Sequence, residues 1–226
     1  MAPQSFSPRP ILCAVLDAAA LGPNPSDAAL GFFHAGVDWI QLRDRSLESG
    51  ALLRLVCALT RARDLARSAA KEPCVIVNRR IDIVLSTGAD GAHLGFDGLD
   101  PATAASVLPE TAVIGVSLHS LQEVESLAEH TLGNRQLYAH LAPIWDPISK
   151  PASRPALGPD LLSCACGLGG PRILAQGGLD PARAAQAIRA GAAGVAVTGI
   201  FGGAENPITT ARQLRAALDG QIQPEG

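Results

Sequence analysis

The stretch CVIVNRRIDIVLSTGADGAHLG, residues 74–95, decides the fold. It opens on an apolar run of strand length, Cys74–Asn78, rich in β-branched side chains. Arg79 and Arg80 interrupt it, and Ile81–Thr87 reads as a short helix. Gly88 supplies a helix stop, and a tight turn through Asp90 leads into a second apolar run, Gly91–Gly95. Strand, helix and strand in such quick succession make a βαβ unit. Continuously apolar strands are those of a parallel sheet, where both faces are buried.

The same grammar extends in both directions. Further strand candidates are Ile11–Asp17, Trp39–Arg43, Ala112–Ser117, Gln136–Leu141, Arg172–Gly178 and Gly194–Gly199. Helix candidates lie between them at Ser26–Ala35, Leu47–Ala70, Pro101–Leu108, Leu121–His130, Pro159–Cys166, Pro181–Ala190 and Pro207–Leu218. Asp100-Pro101 and Asp180-Pro181 each place a capping acid before a proline at the first helical position, and Ser26 is the candidate cap of the first helix. Ala35-Gly36-Val37-Asp38, Thr87-Gly88-Ala89-Asp90 and Ala190-Gly191-Ala192-Ala193 repeat one helix-ending pattern. Eight such units in 226 residues predict a single (β/α)8 TIM barrel, one domain over residues 1–226 with its core at about 11–218. An open doubly wound sheet would carry a glycine-rich turn after its first strand. Ala18, Ala19 and Ala20 stand there instead.

Composition agrees and excludes several functions. The chain is 47% hydrophobic with only 4% aromatic residues, a palette for helices packed on a buried sheet. Net charge is −3, and no basic tract interleaves with aromatics, so nucleic acid is not an expected partner. MAPQSFSPRP lacks the pattern of a signal peptide, and no apolar run would cross a bilayer, so the expectation is a cytoplasmic protein with no membrane partner. The five cysteines (Cys13, Cys57, Cys74, Cys164, Cys166) read as small hydrophobes, since Cys164-x-Cys166 has the wrong spacing for zinc and no second pair.

In such a barrel the chemistry sits where strands end. Gly177-Gly178 and Thr198-Gly199 end the last two strands, where backbone N–H groups can cradle a phosphate; the alternative is that these glycines only make tight turns. Arg43, Arg45, Arg79 and Lys150 are expected to converge on the opposite side of the mouth as a second anion site, or else to pair with Asp44 and Glu48 at the surface. His119, just past Ser117, is placed for proton transfer. His93 reads as a hydrogen-bonded core residue, and His34, His130 and His140 carry no supporting context. The irregular segment Pro143–Gly158 is long enough to be functional.

Taken in order, these stretches resemble the thiamin phosphate synthase and TenI barrels from about Ile11 to Leu218. Gln41-Leu42-Arg43-Asp44-Arg45 resembles the family's QLR(E/D)K, and Val77-Asn78-Arg79-Arg80 its I/V-N-D segment. Gly88–Gly95 resembles its GADGVHLG, and Gly115–Ser120 its GxSxHS. Pro143-Ile144-Trp145 through Ser149-Lys150 resembles its PxF-x-TxTK loop, and Gly177-Gly178 and Thr198–Phe201 its phosphate turns. The resemblance implies a barrel that binds the thiazole phosphate of thiamin. In a synthase, that thiazole attacks a hydroxymethylpyrimidine diphosphate, and pyrophosphate leaves bridged by magnesium. On this resemblance Gln41, Arg43, Arg45, Asn78, Arg79, Ser117, Ser149 and Lys150 bind substrate, and Gly177, Gly178, Thr198 and Gly199 hold phosphate.

The chain departs from the pattern at telling places. Arg79 stands at one metal aspartate and Gly98 at the other, with Asp97 one position early; Phe96 replaces a Gln, Arg45 a Lys, and Pro147 and Ser149 two Thr residues. Magnesium prefers hard carboxylate oxygens. The leading expectation is therefore a TenI-type thiazole tautomerase, an isomerase that uses His119 with no metal or other cofactor. The alternatives are a thiamin phosphate synthase, a transferase with magnesium as cofactor, and a non-catalytic binder of a phosphorylated metabolite. The expected partner is a small phosphorylated thiazole, and a homo-oligomer is compatible with the sequence.

Overall fold

All eight apolar runs form strands in the computed structural model, which describes residues 9–69, 71–95, 98–128, 132, 135–146, 154–202 and 204–221. They are β1 (Ile11–Leu16), β2 (Trp39–Leu42), β3 (Cys74–Asn78), β4 (Gly91–Leu94), β5 (Val113–Leu118), β6 (Leu137–Leu141), β7 (Arg172–Gln176) and β8 (Gly194–Val197). Each pairs in parallel with its successor, and β8 returns to β1, so the sheet closes into a barrel with no free edge. The helices are α1 (Ala18–Leu21), α2 (Pro25–His34), α3 (Ser49–Ala66), α4 (Ile81–Thr87), α5 (Pro101–Val107), α6 (Leu121–Ala128), α7 (Gly158–Gly167), α8 (Pro181–Arg189), α9 (Gly199–Gly202) and α10 (Pro207–Asp219). α1 and α9 are single turns at the strand C-termini, additional to the eight expected helices.

Local signals explain most helix ends. Asp100 accepts the Thr103 N–H at 2.9 Å, and Asp180 accepts that of Arg183 at 2.8 Å, as their Asp-Pro pairs predict. Gly88 ends α4 in the left-handed region with φ 66°. Ser26 is not a cap. Pro25 occupies the first turn of α2 and Asn24 precedes it, because the fixed φ of proline already sets the helix start.

The repeated helix-ending pattern has a tertiary purpose. Asp38 accepts the backbone N–H of Leu12 at 2.8 Å and Arg215 Nη1 at 3.0 Å. Asp90 accepts Val75 N–H and Arg63 Nη1, both at 2.7 Å. Each aspartate thus reaches back to an N–H near the start of the previous strand and is balanced by a buried arginine from a helix. The third copy ends in Ala193 and has no carboxylate to do this. These clamps tie the N-terminal face and leave the opposite rim to chemistry.

Two apolar clusters divide the strand residues by parity. Leu12, Ala14, Leu16, Ile40, Leu42, Val75 and Val77 join the helices in the larger cluster. Ile11, Cys13, Val15, Trp39, Cys74, Ile76, Val113, Tyr138, Leu174 and Ala196 form the smaller one, which fills the barrel interior. Cys13 and Cys74 are the small hydrophobes expected, whereas Cys164 is exposed.

Candidate active site at the C-terminal rim

Continuing the inward parity past the apolar filling gives Gln41, Asn78, His93, Ser117, His140, Gln176 and Thr198. Every one is polar. An interior that is apolar below and polar above is the arrangement of a barrel whose C-terminal rim receives a polar substrate.

The centre of this layer is a neutral histidine pair. His93 Nε2 lies 2.8 Å from Ser117 Oγ, and its Nδ1 lies 3.0 Å from Tyr138 Oη. The His140 ring stacks obliquely on His93 with centroids 4.3 Å apart. Burial pushes the pKa of His93 down to about 3, with a smaller push from the charge of Arg43. Burial, and His93 beside it, also hold His140 well below its ordinary value. His93 is the hydrogen-bonded core residue expected. His140 was missed, although a polar residue two positions beyond an aromatic in an apolar strand was the signal.

The two histidines make stability pH-dependent. Above pH 6.5 they are neutral whether the chain is folded or not. Below it the unfolded chain takes up protons that the folded barrel refuses, so stability falls as pH drops toward 3. Each histidine should cost about 1.4 kcal/mol per pH unit in that window. Urea unfolding midpoints measured from pH 7.5 to 5 should fall steeply below 6.5, and less steeply in His93→Gln. A flat wild-type profile would refute the neutral pair.

Around this centre the expected residues divide. Gln41 is buried and its Nε2 donates to Asn78 Oδ1 at 3.3 Å, so the two polar ends of β2 and β3 hold each other. Ser117 is engaged by His93. Thr198 and Gly199 line a cavity of about 200 Å³ together with Val15, Leu16, Asp17, Ala20 and Arg43. Asp17 turns its carboxylate to α1, accepting the Ala20 N–H at 2.8 Å. Arg43 was expected opposite the phosphate turns. It lies beside the β8 turn instead, because β1 alone separates β2 from β8 in the closed sheet. Both arginines are exposed, but Arg45 does not line the cavity. Asp44 accepts N–H groups of Ala18, Ser46 and Leu47, which fixes the loop carrying both arginines.

The turn after β7 has a structural reason for its glycines. Gly177 and Gly178 have φ 100° and 60°. A Cβ on Gly178 would fall 2.3 Å from the carbonyl oxygen of Asp146, and one on Gly177 2.8 Å from Pro143. The chain leaving β6 therefore packs directly on this turn, and Ile144 N–H donates to Gln176 O at 2.8 Å. Gln176 Nε2 in turn donates to Thr198 Oγ1 at 3.3 Å, linking the turns after β7 and β8 on one rim. Ser149 and Lys150, with the rest of residues 147–153 in the Pro143–Gly158 segment, lie outside the described residues, as do Phe96 and Asp97.

His119 stands between β5 and α6. Its backbone N–H donates to Glu123 Oε2 at 2.5 Å, and its Nδ1 lies 3.6 Å from the same oxygen. Partial burial and Arg154 lower its pKa while Glu123 opposes them, so the imidazole is neutral at pH 7. Glu123 is a partner the sequence did not single out; its i+4 position on the following helix was the available signal.

Among the described residues this rim gathers no carboxylate set of the kind magnesium prefers. Arg79 occupies the position of an expected carboxylate, and the Asn78 oxygen beside it already accepts from Gln41. Among the described residues no group of three His, Cys, Asp or Glu side chains could hold a metal ion. Nor is any described helix long and apolar enough to cross a membrane.

A closed eight-stranded parallel barrel with its polar residues gathered on the C-terminal rim defines the class of (β/α)8 barrel proteins. Residues 12–200 match the family described as Thiamine monophosphate synthase, TMP-TENI, and the chain belongs to it. It is 33% identical to the Thiamine-phosphate synthase of Chlorobium luteolum over 96% of this chain and 97% of that one. It is also 33% identical, over 85% of its length, to the Thiamine biosynthesis bifunctional protein ThiM/ThiE of Symbiobacterium thermophilum, of which it spans 38%. The fold is similar to that of a thiamine phosphate pyrophosphorylase from Pyrococcus furiosus, with TM-score 0.77 and 20% identity over 94% of this chain and 98% of that one.

Proposed function

We propose that this barrel is a thiamine-phosphate-synthase-type transferase that joins a hydroxymethylpyrimidine diphosphate to a thiazole phosphate. The observation that carries this reading is the cavity shared by Thr198, Gly199 and Arg43, which suits a phosphate monoester. The names of the full-length relatives favour the transferase over the tautomerase expected from the sequence. In the reaction, the C–O bond between the pyrimidine methylene and the diphosphate breaks, a C–N bond to the thiazole nitrogen forms, and pyrophosphate leaves. The rim cations stabilise the charge on the departing diphosphate. Gln41 and Asn78, locked to each other, present fixed polar atoms beneath it.

A second reading rests on one specific observation, the pairing of His119 with Glu123. A neutral imidazole with a carboxylate 3.6 Å from its Nδ1 is equipped to move protons in a thiazole tautomerisation. The two readings separate cleanly. Purified protein given both transferase substrates should release pyrophosphate, and His119→Asn should retain most of that release. If instead no pyrophosphate appears, with or without magnesium, and the protein aromatises the thiazole carboxylate phosphate in EDTA, the transferase reading is wrong. His119→Asn should then abolish the aromatisation without lowering the melting temperature.

A further inference from the structure

The 2.8 Å contact between His93 Nε2 and Ser117 Oγ has the spacing of a serine nucleophile and its base. Whether it can act as one depends on which ring nitrogen carries the proton. A neutral imidazole has one N–H and one lone pair. The other nitrogen of His93, Nδ1, faces Tyr138 Oη at 3.0 Å.

The phenol decides the order. Tyr138 is fully buried, and among the described residues Nδ1 is the one hydrogen-bond partner of its oxygen. Its proton therefore has a single place to go. A core O–H left without an acceptor carries the whole cost of its lost hydration. Ser117 is only half-buried, so its own proton can be met from the mouth of the barrel. The arrangement that satisfies both buried groups has Tyr138 donating to Nδ1 and Nε2–H donating to Ser117 Oγ. Burial keeps the phenol protonated and the imidazole neutral, as this order requires. In a serine nucleophile a carboxylate accepts from Nδ1, and the lone pair on Nε2 takes the serine proton. Here a donor stands in the place of that carboxylate, and the polarity is reversed. His93 turns no lone pair toward Ser117.

We propose that Tyr138 and His93 are positioning residues that fix the Ser117 hydroxyl as a hydrogen-bond donor to the bound substrate and deny it a base. The identity of that substrate rests on the transferase reading. Donors aligned in one direction polarise one another. A donor held in place before the substrate arrives stabilises charge that develops on an acceptor atom during reaction.

Long-range nitrogen–proton NMR of the full chain reads which nitrogen of His93 carries the proton, with His93→Gln assigning the signal. The proton is expected on Nε2 in the wild type, and on Nδ1 or shared between both nitrogens in Tyr138→Phe. Pyrophosphate release from the two transferase substrates is the second readout. Tyr138→Phe should lower kcat roughly tenfold, less than the loss of a whole donor, and leave KM within about threefold. Ser117→Ala should lower kcat further, and adding Tyr138→Phe to Ser117→Ala should cost nothing more. A proton on Nδ1 in the wild type would overturn the proposal, as would losses that multiply in the double variant. If the wild type releases no pyrophosphate, the transferase reading falls, and the position of the ring proton alone decides the relay.

Discussion

A Gly115→Ala chain is expected to lose about 3 kcal/mol of stability or more, the upper range for overpacking a core. The added methyl would sit 2.1 Å from Tyr138 Cζ and 2.4 Å from its oxygen. Neither partner can step aside. Gly115 lies on β5 directly opposite Tyr138 on β6, and the phenol is fully buried among Trp39, His93 and His140. Displacing the ring would also break its contact with His93 Nδ1, which is 3.0 Å away. The effect should reach beyond stability, because His93 orients Ser117 at the rim. Equilibrium urea unfolding measures the loss. Adding Tyr138→Leu, which makes room for the methyl, should recover part of it, so that the two changes are strongly non-additive. An alanine variant within 1 kcal/mol of wild type, a threshold set by the usual span of mild core substitutions, would show that the phenol is not locked over Gly115.

Arg43→Ala should weaken binding of thiazole phosphate by roughly 10- to 100-fold, the loss of one charge-assisted contact of about 1.5–3 kcal/mol. Arg45→Ala should change it less than about fivefold, as befits a charge outside the cavity that acts only through solvent. Both variants should unfold at the wild-type denaturant concentration, since neither side chain is part of the core. The contrast is the informative part. The two arginines stand two residues apart in the same motif, yet only Arg43 lines the cavity with Thr198 and Gly199. Titration calorimetry at low and moderate salt measures both. Equal losses would mean that the mouth attracts anions by its overall field, with no defined cradle.

How the chain divides between legible and hidden follows from the range of the interactions involved. Strand runs, helix runs, the Asp-Pro caps and the glycine stops act within a few residues. They were readable in order, and eight repeats in a chain of this length left the barrel as the leading architecture. Family membership was readable for the same reason, since its motifs are short and sit at strand ends. Closure of the sheet decided the rest. Because both faces of each strand are apolar, the sequence could not say which parity turns inward. Only pairing β8 to β1 places Tyr138, His140 and His93 in one interior and sets Arg43 beside Thr198. Likewise Asp38 and Asp90 were visible as a repeated pattern, but their bonds reach 26 and 15 residues back along the chain, to Leu12 and Val75. Such contacts depend on tertiary register, which a closed barrel fixes through all eight strands at once.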